Sequence, residues 1–344
     1  MIKKNEYVGI MVNNSYERKY VLKKYLKCNI TNLKLICFTP SSINWKRKSL
    51  IGLYLSKQRW EIGRFPLPQV IYNRCYNLNE TMIKRLELVI GRNKCFNHIN
   101  QLNKLEIYRN LSQLLVCYLP ETIPYDKESS LRLLEIHKTL YFKPCNGHHG
   151  NNVYRVEMKD SGDIHICHHY FTPEIIEREP LKLQEKIHNL IGSTPYIIQI
   201  GVDMSKLNEQ NFDIRALVQK NKKGLWAVTN VVSRIAYKGC FNTSICETVC
   251  LTEELLNRLH PPNKTDAIIQ TIYEIALKAA ETIEANTSNH LGELSVDFAL
   301  DKDGHVWILE INGMPQKNLY DGLHKNYRSV YSQPLQYAQY LYQH

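Results

Sequence analysis

The 344-residue sequence lacks the long hydrophobic runs that mark membrane proteins. No apolar stretch approaches the ~20 residues that a membrane-spanning helix needs. The first residues, Met1 to Glu6, also lack the apolar core of a secretory signal. These two absences predict a protein that makes no membrane contact and stays inside the cell.

Several other signatures of function are absent. The ten cysteines are scattered and form no Cys-x-x-Cys pair, which argues against a zinc ribbon and a disulfide framework. No Gly-x-x-x-x-Gly-Lys-Ser/Thr motif occurs, so a P-loop nucleotide site is not expected. No Gly-x-Ser-x-Gly motif occurs, so a nucleophile elbow is not expected either.

Acidic residues are scarce in the first third of the chain. Residues 1–100 carry 19 Lys and Arg against 5 Asp and Glu, whereas the remaining residues carry 25 against 28. A basic region of this kind attracts polyanions, which leaves a nucleic-acid-associated protein as one alternative. Because no nucleic-acid-binding motif accompanies the charge, we favour a solvated basic face and do not expect a nucleic-acid partner.

Short apolar runs alternate with helical spacing near the N-terminus. The pattern predicts strands over residues 7–12, 33–38 and 69–72 and a helix over 17–27. Strand–helix alternation is typical of a small α/β domain.

Strands dominate from residue 139 onward. The pattern predicts helices over 103–117, 173–190 and 264–286, and strands over 139–143, 153–157, 163–170, 196–200, 212–220 and 225–236. A final hairpin is predicted from strands 294–300 and 305–311, which flank an Asp-Lys-Asp-Gly turn.

A lysine and a glycine-containing turn form the first candidate site. Lys143 ends a predicted strand, and Gly147 and Gly150 lie in the turn that follows. Glycines let backbone N–H groups approach phosphate oxygens, and the ammonium group supplies charge. The alternative is an ordinary hairpin in which the lysine has no special role.

Two carboxylates and an amide form the second candidate site. Asp297 lies on one strand of the final hairpin, and Glu310 and Asn312 lie two residues apart on the other, so the latter two share a face. Their apolar neighbours predict burial, and buried carboxylates need a cationic partner. The oxygens suit Mg²⁺ or Mn²⁺. The alternatives are a solvent-facing polar edge or an arginine partner from elsewhere.

Arginines near an aspartate form the third candidate site. Asp213 and Arg215 share one face of a predicted strand, and Arg234 lies on the neighbouring strand. Arginine binds phosphate or carboxylate through two parallel hydrogen bonds. The alternative is a structural ion pair between the strands.

Taken in chain order, several segments together resemble a known family. They include Phe-Asp-Ile-Arg at 212–215, Gly-Leu-Trp-Ala-Val-Thr at 224–229 and Trp-Ile-Leu-Glu-Ile-Asn at 307–312. The sequence over about 100–318 resembles the ATP-grasp superfamily, closest to its YheC/YheD group of endospore coat-associated proteins from spore-forming bacteria.

The resemblance implies a role for each matching residue. The implied ATP-binding residues are Lys104, Lys143, Gly147, Gly150, Gln199, Ile200, Val202 and Asp213. Gly147 and Gly150 fall in residues 146–151, which match a flap over the triphosphate and are called the flap here. The implied catalytic residues are Arg215 and Arg234, near the γ-phosphate and the acyl-phosphate, and Asn242, near phosphate and metal. The implied metal ligands are Asp297, Glu310 and Asn312.

The resemblance also implies a fold. We expect an α+β protein with an ATP-grasp fold, in which two α+β subdomains clamp ATP, preceded by a small α/β pre-ATP-grasp domain. The expected domains are 1–98, 99–200, which forms the lid, and 201–344, which carries the metal site.

The implied activity is ATP- and Mg²⁺-dependent ligation of a carboxylate to an amine through an acyl-phosphate. The expected cofactors are ATP and Mg²⁺ or Mn²⁺, and the expected substrates are small molecules or peptides. Spore coat proteins are expected partners, and the location is the cytoplasm or the spore coat. The alternative is a nucleotide-binding structural protein of the coat without turnover, favoured by a bulky flap and by the missing Gly-Gly pair after Asn242.

Overall fold

The computed structural model describes residues 7–31, 33–76, 78–147, 150–323 and 327–344. It contains three β-sheets in chain order, which we call the N-terminal, middle and C-terminal sheets. No helix within these residue ranges combines the length and the apolar character that a bilayer crossing requires.

The N-terminal sheet has seven strands in the order β3-β4-β2-β1-β6-β7, with β5 paired to β4. Its strands are β1 (Tyr7–Met11), β2 (Lys34–Phe38), β3 (Ile43–Asn44), β4 (Ser49–Ser56), β5 (Arg59–Pro66), β6 (Val70–Asn73) and β7 (Cys95–Phe96). Helices α1 (Glu17–Lys27) and α2 (Glu80–Ile90) connect them. The neighbours β2-β1-β6-β7 are parallel, which agrees with the predicted α/β character of this region.

The middle sheet has six antiparallel strands in the order β12-β11-β10-β9-β13-β8. Its strands are β8 (Thr122–Pro124), β9 (Thr139–Pro144), β10 (Tyr154–Met158), β11 (Ile164–His168), β12 (Ile175–Glu177) and β13 (Tyr196–Ile200). Helix α3 (Lys104–Leu115) precedes the sheet, and α4 (Lys127–His137) and α5 (Pro180–Ile191) lie within its connections.

The C-terminal sheet has six antiparallel strands in the order β17-β16-β15-β18-β19, with β14 paired to β15. Its strands are β14 (Lys206–Leu207), β15 (Gln210–Lys220), β16 (Trp226–Ala236), β17 (Cys246–Leu251), β18 (Glu293–Leu300) and β19 (Val306–Asn312). The helices of this region are α6 (Thr252–Leu256), α7 (Pro262–Ala285) and α8 (Tyr327–Gln343).

The C-terminal sheet is covered on both faces. Side chains of α7 and α3 pack on one face with Phe212, Ile214 and Val296. The other face contributes Leu217 and Val232 to a core shared with α8 and with the N-terminal sheet. The final helix therefore fixes the C-terminal sheet to the N-terminal sheet by apolar burial. The predicted domain boundaries after residues 98 and 200 remain a prediction.

Two local differences from the predicted elements have clear physical causes. The helix predicted over 173–190 is wrong in its first third, because β12 occupies part of it and Pro180 stands at the first position of α5. The hairpin of β4 and β5 was not predicted. Its turn residues Lys57 and Gln58 both adopt positive φ, although neither residue type signals such a turn.

Candidate functional site

A cleft of about 440 Å³ lies between the middle and C-terminal sheets. Every site residue predicted from the sequence lines it: Lys104, Lys143, Gly147, Gly150, Gln199, Ile200, Val202, Asp213, Arg215, Arg234, Asn242, Asp297, Glu310 and Asn312. The fold thus brings together groups that lie up to about 200 residues apart in the chain. Their individual roles remain proposals.

Lys104 reaches into the cleft from the start of α3. The helix is capped by Asn103, whose side chain accepts hydrogen bonds from the backbone N–H groups of Leu105 and Glu106. Lys104 Nζ lies 3.1 Å from Glu310 Oε1 and donates to the carbonyl oxygen of Gly147 at 3.2 Å. The lysine therefore joins the C-terminal sheet to the flap.

Lys143 lies on β9 and is bonded to a neutral group. Its Nζ donates to Gln199 Oε1 on the adjacent strand β13 at 2.6 Å, and Gln199 Nε2 donates to Thr122 Oγ1 at 3.2 Å. The pKa of Lys143 is lowered to about 8, mainly by burial; the Glu310 carboxylate opposes this shift and the Lys104 charge adds to it. A cation that is held by an amide, rather than neutralised by a carboxylate, is suited to bind an anion.

Asp297 is bound by two arginines. It lies opposite Arg215 in the pairing of β15 with β18. Arg215 donates from Nε and Nη2 to Oδ1 and Oδ2, both at 2.6 Å, and Arg234 Nη2 donates to Oδ2 at 3.1 Å. Burial alone would raise the pKa of Asp297, but the two guanidinium charges outweigh it and hold the pKa below its usual value.

Asp213 pairs with Arg234 across β15 and β16. Arg234 donates from Nε to Asp213 Oδ1 at 2.9 Å and also from Nη2 to Oδ2, to which Thr243 Oγ1 donates at 2.7 Å. The geometry of Asp213 and Arg234 is therefore that of a structural ion pair between neighbouring strands, the alternative considered for these residues. The pair also forms part of the cleft wall, so a structural and a binding role are compatible.

The donor set around Asp297 fits a hard divalent cation. Glu310 faces Asp297 directly in the pairing of β18 with β19, and Asn312 Nδ2 donates to Asp297 Oδ2 at 3.5 Å. Asp297 Oδ1 accepts one hydrogen bond, so it retains an acceptor site, and the Asn312 amide oxygen and Glu310 add further oxygens. Oxygen ligands of this type suit Mg²⁺.

The flap contacts the C-terminal region through Gly150. This residue has a φ of +66°, and a Cβ atom there would lie 1.9 Å from Asn242 Nδ2. Asn242 Nδ2 donates to the Gly150 carbonyl oxygen at 3.5 Å and also lies 3.2 Å from His169 Nδ1. Only glycine allows this approach. The flap residues His148 and His149 lie outside the described residues.

Apolar side chains also line the cleft. Ile200, the last residue of β13, and Val202, just beyond it, line the cleft together with Met204 and Phe241. Phe241 packs edge-on against Tyr141, with ring centroids 5.8 Å apart. The cleft thus combines apolar and charged lining residues, as expected for a ligand with a flat ring and a charged chain.

The sequence profile of the family described as YheC/D like ATP-grasp matches residues 92–341, most of the chain. The chain belongs to this ATP-grasp family. The family expected from the sequence is thereby confirmed.

Two curated relatives come from Bacillus subtilis (strain 168). Endospore coat-associated protein YheD is 28% identical over 325 residues, which span 88% of this chain and 70% of YheD. Endospore coat-associated protein YheC is 21% identical over 351 residues, which span 97% of this chain and 96% of YheC.

A solved structure supports the fold assignment. D-alanyl-alanine synthetase A from Vibrio cholerae O1 biovar eltor str. N16961 superposes with a TM-score of 0.56 at 10% identity, covering 99% of this chain and 100% of that one. The expected α+β ATP-grasp fold is therefore confirmed.

The ATP-grasp cleft contains residues that the sequence did not reveal. Tyr76, Asn100, Gln101, Met314 and Gln316 line it. Tyr76 comes from the connection between β6 and α2, Asn100 and Gln101 come from the segment between β7 and α3, and the other two come from the loop after β19. None belongs to a motif with a recognisable spacing. Only the tertiary structure places them beside the predicted residues.

A second group of metal-ligating residue types lies outside the ATP-grasp cleft. Glu87, His98 and His290 form it within the described part of the chain. Both ring nitrogens of His290 have protein partners, the Cys95 carbonyl oxygen at 2.9 Å and the Tyr337 hydroxyl at 2.5 Å. His98 is likewise bonded through both nitrogens, to Glu87 and to the backbone N–H of His290. These bonds indicate a structural role.

Proposed function

We propose that the chain binds MgATP in the cleft and uses it to join a carboxylate to an amine. The observation that carries the proposal is the convergence of two lysines, two arginines and an Asp–Glu–Asn set on one cavity of about 440 Å³. Family membership and fold support the same activity. Each group of cleft residues has its own proposed role.

The nucleotide is proposed to lie along the length of the cleft. Its adenine ring packs beside Ile200 and Val202, and its phosphates lie at Lys104 and Lys143. The lowered pKa of Lys143 means that a bound phosphate chain stabilises a charge that burial otherwise disfavours. The flap, with Gly147 and Gly150, covers the phosphates and excludes water.

The metal ligands are proposed to be Asp297, Glu310 and Asn312. When bound, Mg²⁺ neutralises phosphate charge as the γ-phosphoryl group is transferred. Lys104 leaves Glu310 for a phosphate oxygen, which frees the carboxylate for the cation. Arg215 holds Asp297 in position through its two hydrogen bonds.

The proposed reaction has two steps. A carboxylate oxygen of the first substrate bonds to the γ-phosphorus, the bond to the β-phosphate oxygen breaks, and ADP leaves. The amine of the second substrate then bonds to the acyl carbon, phosphate leaves with the electron pair of the broken C–O bond, and the amine gives up a proton. The protein positions the reactants and stabilises charge, so no side-chain nucleophile is needed.

The names of the relatives support a location. YheC and YheD are called endospore coat-associated in Bacillus subtilis. We propose that this chain also works in the spore coat or in the cytoplasm of the cell that builds it, on small-molecule or peptide substrates, with coat proteins as partners.

Product formation tests the proposal. The chain is incubated with ATP, Mg²⁺ and pools of amino acids and short peptides, and ADP and phosphate release are measured. We expect release that requires both a carboxylate and an amine and that falls about a hundredfold in Glu310→Gln, since one lost transition-state contact costs ~3 kcal/mol. The matched control is Glu128→Gln, an exposed residue on α4 away from the cleft.

Two outcomes would contradict the proposal. Tight ATP binding without ADP formation in any pool would favour a nucleotide-binding coat component without turnover. Equal release of ADP and phosphate by Glu310→Gln and the wild-type chain would show that the reaction does not depend on the proposed metal ligands.

A further inference from the structure

Strand β5 forms an outer edge of the N-terminal sheet. Strand β5 hydrogen-bonds only to β4 among the residues that the structure describes. The two strands stay in register from Ser49 opposite Pro66 to Ser56 opposite Arg59, without a bulge. The other side of β5 therefore presents a regular row of main-chain groups.

The hairpin geometry identifies those groups. The two-residue turn at Lys57 and Gln58, with both φ angles positive, makes Ser56 and Arg59 a hydrogen-bonded pair. Hydrogen-bonded and non-bonded pairs alternate along an antiparallel ladder. The N–H and C=O groups of Trp60, Ile62 and Arg64 therefore point away from β4.

An apolar surface accompanies this edge. Ile62 is 63% exposed at the centre of β5, and Ile51 and Leu55, on the same face of β4, are 45% and 41% exposed. Sheet edges that avoid pairing usually carry a central charge, a proline or a bulge. The two central residues of β5, Ile62 and Gly63, are uncharged, although Glu61 and Arg64 flank them, and Pro66 stands only at the end of the strand.

The charge around the edge is almost entirely positive. Glu61 is the sole acidic residue between residues 18 and 79. The basic residues near the edge are Lys46, Arg47, Lys48, Lys57, Arg59 and Arg64. Within the described residue ranges, no carboxylate lies within 4.0 Å of their charged groups. A partner that binds here must supply negative charge.

We propose that β5 binds an extended acidic segment of a partner protein as an added strand. Main-chain bonds from Trp60, Ile62 and Arg64 hold the segment, its apolar side chains pack beside Ile62, and its acidic side chains face the surrounding Lys and Arg. Nucleic acid supplies the charge but neither the matching main-chain groups nor aliphatic side chains. This surface is separate from the cleft, so the proposal does not depend on the proposed ligase activity.

Peptide binding to the full chain tests the proposal. The probe is a fluorescent peptide of alternating Glu and Val, which places valines on one face and glutamates on the other. We expect this peptide to bind the wild-type chain and to bind Ile62→Glu at least about tenfold more weakly. A Lys/Val peptide and a mixed-sequence DNA duplex should each bind the wild-type chain more weakly than the Glu/Val peptide does. Ile136→Glu is the control, because Ile136 on α4 is also an isoleucine with 63% exposure.

Residue-resolved amide exchange gives a second readout. Bound peptide should slow exchange at Trp60, Ile62 and Arg64 and leave Arg59, Glu61 and Gly63 unchanged, since the latter already bond to β4. The proposal would be overturned if the peptide did not bind, or if it bound Ile62→Glu and the wild-type chain with equal affinity. It would also be overturned if only the duplex bound, or if self-association protected the same amides without peptide.

Discussion

Arg215 and Asp297 face each other across β15 and β18 and are joined by two hydrogen bonds of 2.6 Å each. Both side chains are less than a tenth exposed. The pair holds a carboxylate of the cleft lining in a fixed orientation. Because a buried charge without its partner is costly, this contact links the stability of the C-terminal sheet to the geometry of the proposed metal site.

Replacing Arg215 should therefore destabilise the fold. We expect Arg215→Ala to lower the free energy of unfolding by about 3–5 kcal/mol, since Arg234 is then the one ion-pair partner left to Asp297 among the described residues. Urea titration measures the change. The control is Arg178→Ala, which breaks an exposed pair with Asp163 and should cost much less, because solvent screens exposed charges. Equal losses in the two variants would contradict this interpretation.

Affinity for ATP should depend on the protonation of Lys143. Its pKa is lowered to about 8, mainly by burial, so the ammonium is charged below that pH and neutral above it. A bound triphosphate favours the charged form, and the affinity should therefore fall as pH rises through about 8. Calorimetric titrations at about pH 7 and about pH 9.5 measure the slope.

Lys143→Arg is the matched variant, because a guanidinium keeps its charge over the whole range. Its ATP affinity should change much less with pH than that of the wild-type chain. The same pH slope in both proteins would show that another group is responsible.

The flap should tolerate no side chain at Gly150. A Cβ atom there would displace Asn242, so Gly150→Ala should weaken ATP binding by at least about tenfold. Gly162→Ala is the control, because Gly162 also has a positive φ, of +83°, but nothing within 4 Å of a Cβ. Both variants carry backbone strain of about 1 kcal/mol, but only the first displaces a cleft residue.

A double-mutant cycle tests whether contact with Asn242 causes the weaker ATP binding of Gly150→Ala. Asn242→Gly should offset part of the loss in Gly150→Ala, because it removes the group with which the new Cβ collides. Strictly additive effects of the two changes would contradict a direct contact.

Stability should fall in acid through His290. Burial, assisted by Lys220 and His98, lowers the pKa of His290 from 6.5 to about 3. Between these values the unfolded chain binds more protons than the folded chain, so each unit of acidification costs up to ~1.4 kcal/mol. Denaturant titrations from pH 6.5 to pH 4 should show that the free energy of unfolding falls less steeply with decreasing pH in His290→Gln than in the wild-type chain. Equal slopes would contradict this assignment.

Much of the fold was predictable because its periodic segments are long. The helix over 17–27 is confirmed with the same bounds, and the long strands of the C-terminal sheet are confirmed to within a few residues. The beginning of the helix predicted over 173–190 is wrong because residues 175–177 join the middle sheet through pairing with β11, a contact that local periodicity does not encode.

The candidate site was predictable where its residues share an element. The spacing of Glu310 and Asn312 already placed both on one face of a strand. The partners of the carboxylates were not predictable, because the contacts of Arg215 with Asp297 and of Lys104 with Glu310 depend on strand register and on the docking of α3. Asn100 enters the cleft from a connecting segment whose sequence has no periodic signal.

The position of a bound metal is the sharpest test of the proposed MgATP site. Crystals of the chain grown with Mn²⁺ and a non-hydrolysable ATP analogue give the metal position from anomalous scattering. We expect one or more peaks at bonding distance from Asp297, Glu310 and Asn312, with the phosphate chain beside Lys104 and Lys143. Metal and nucleotide bound away from these five side chains, or absent from the cleft at saturating concentrations, would contradict it.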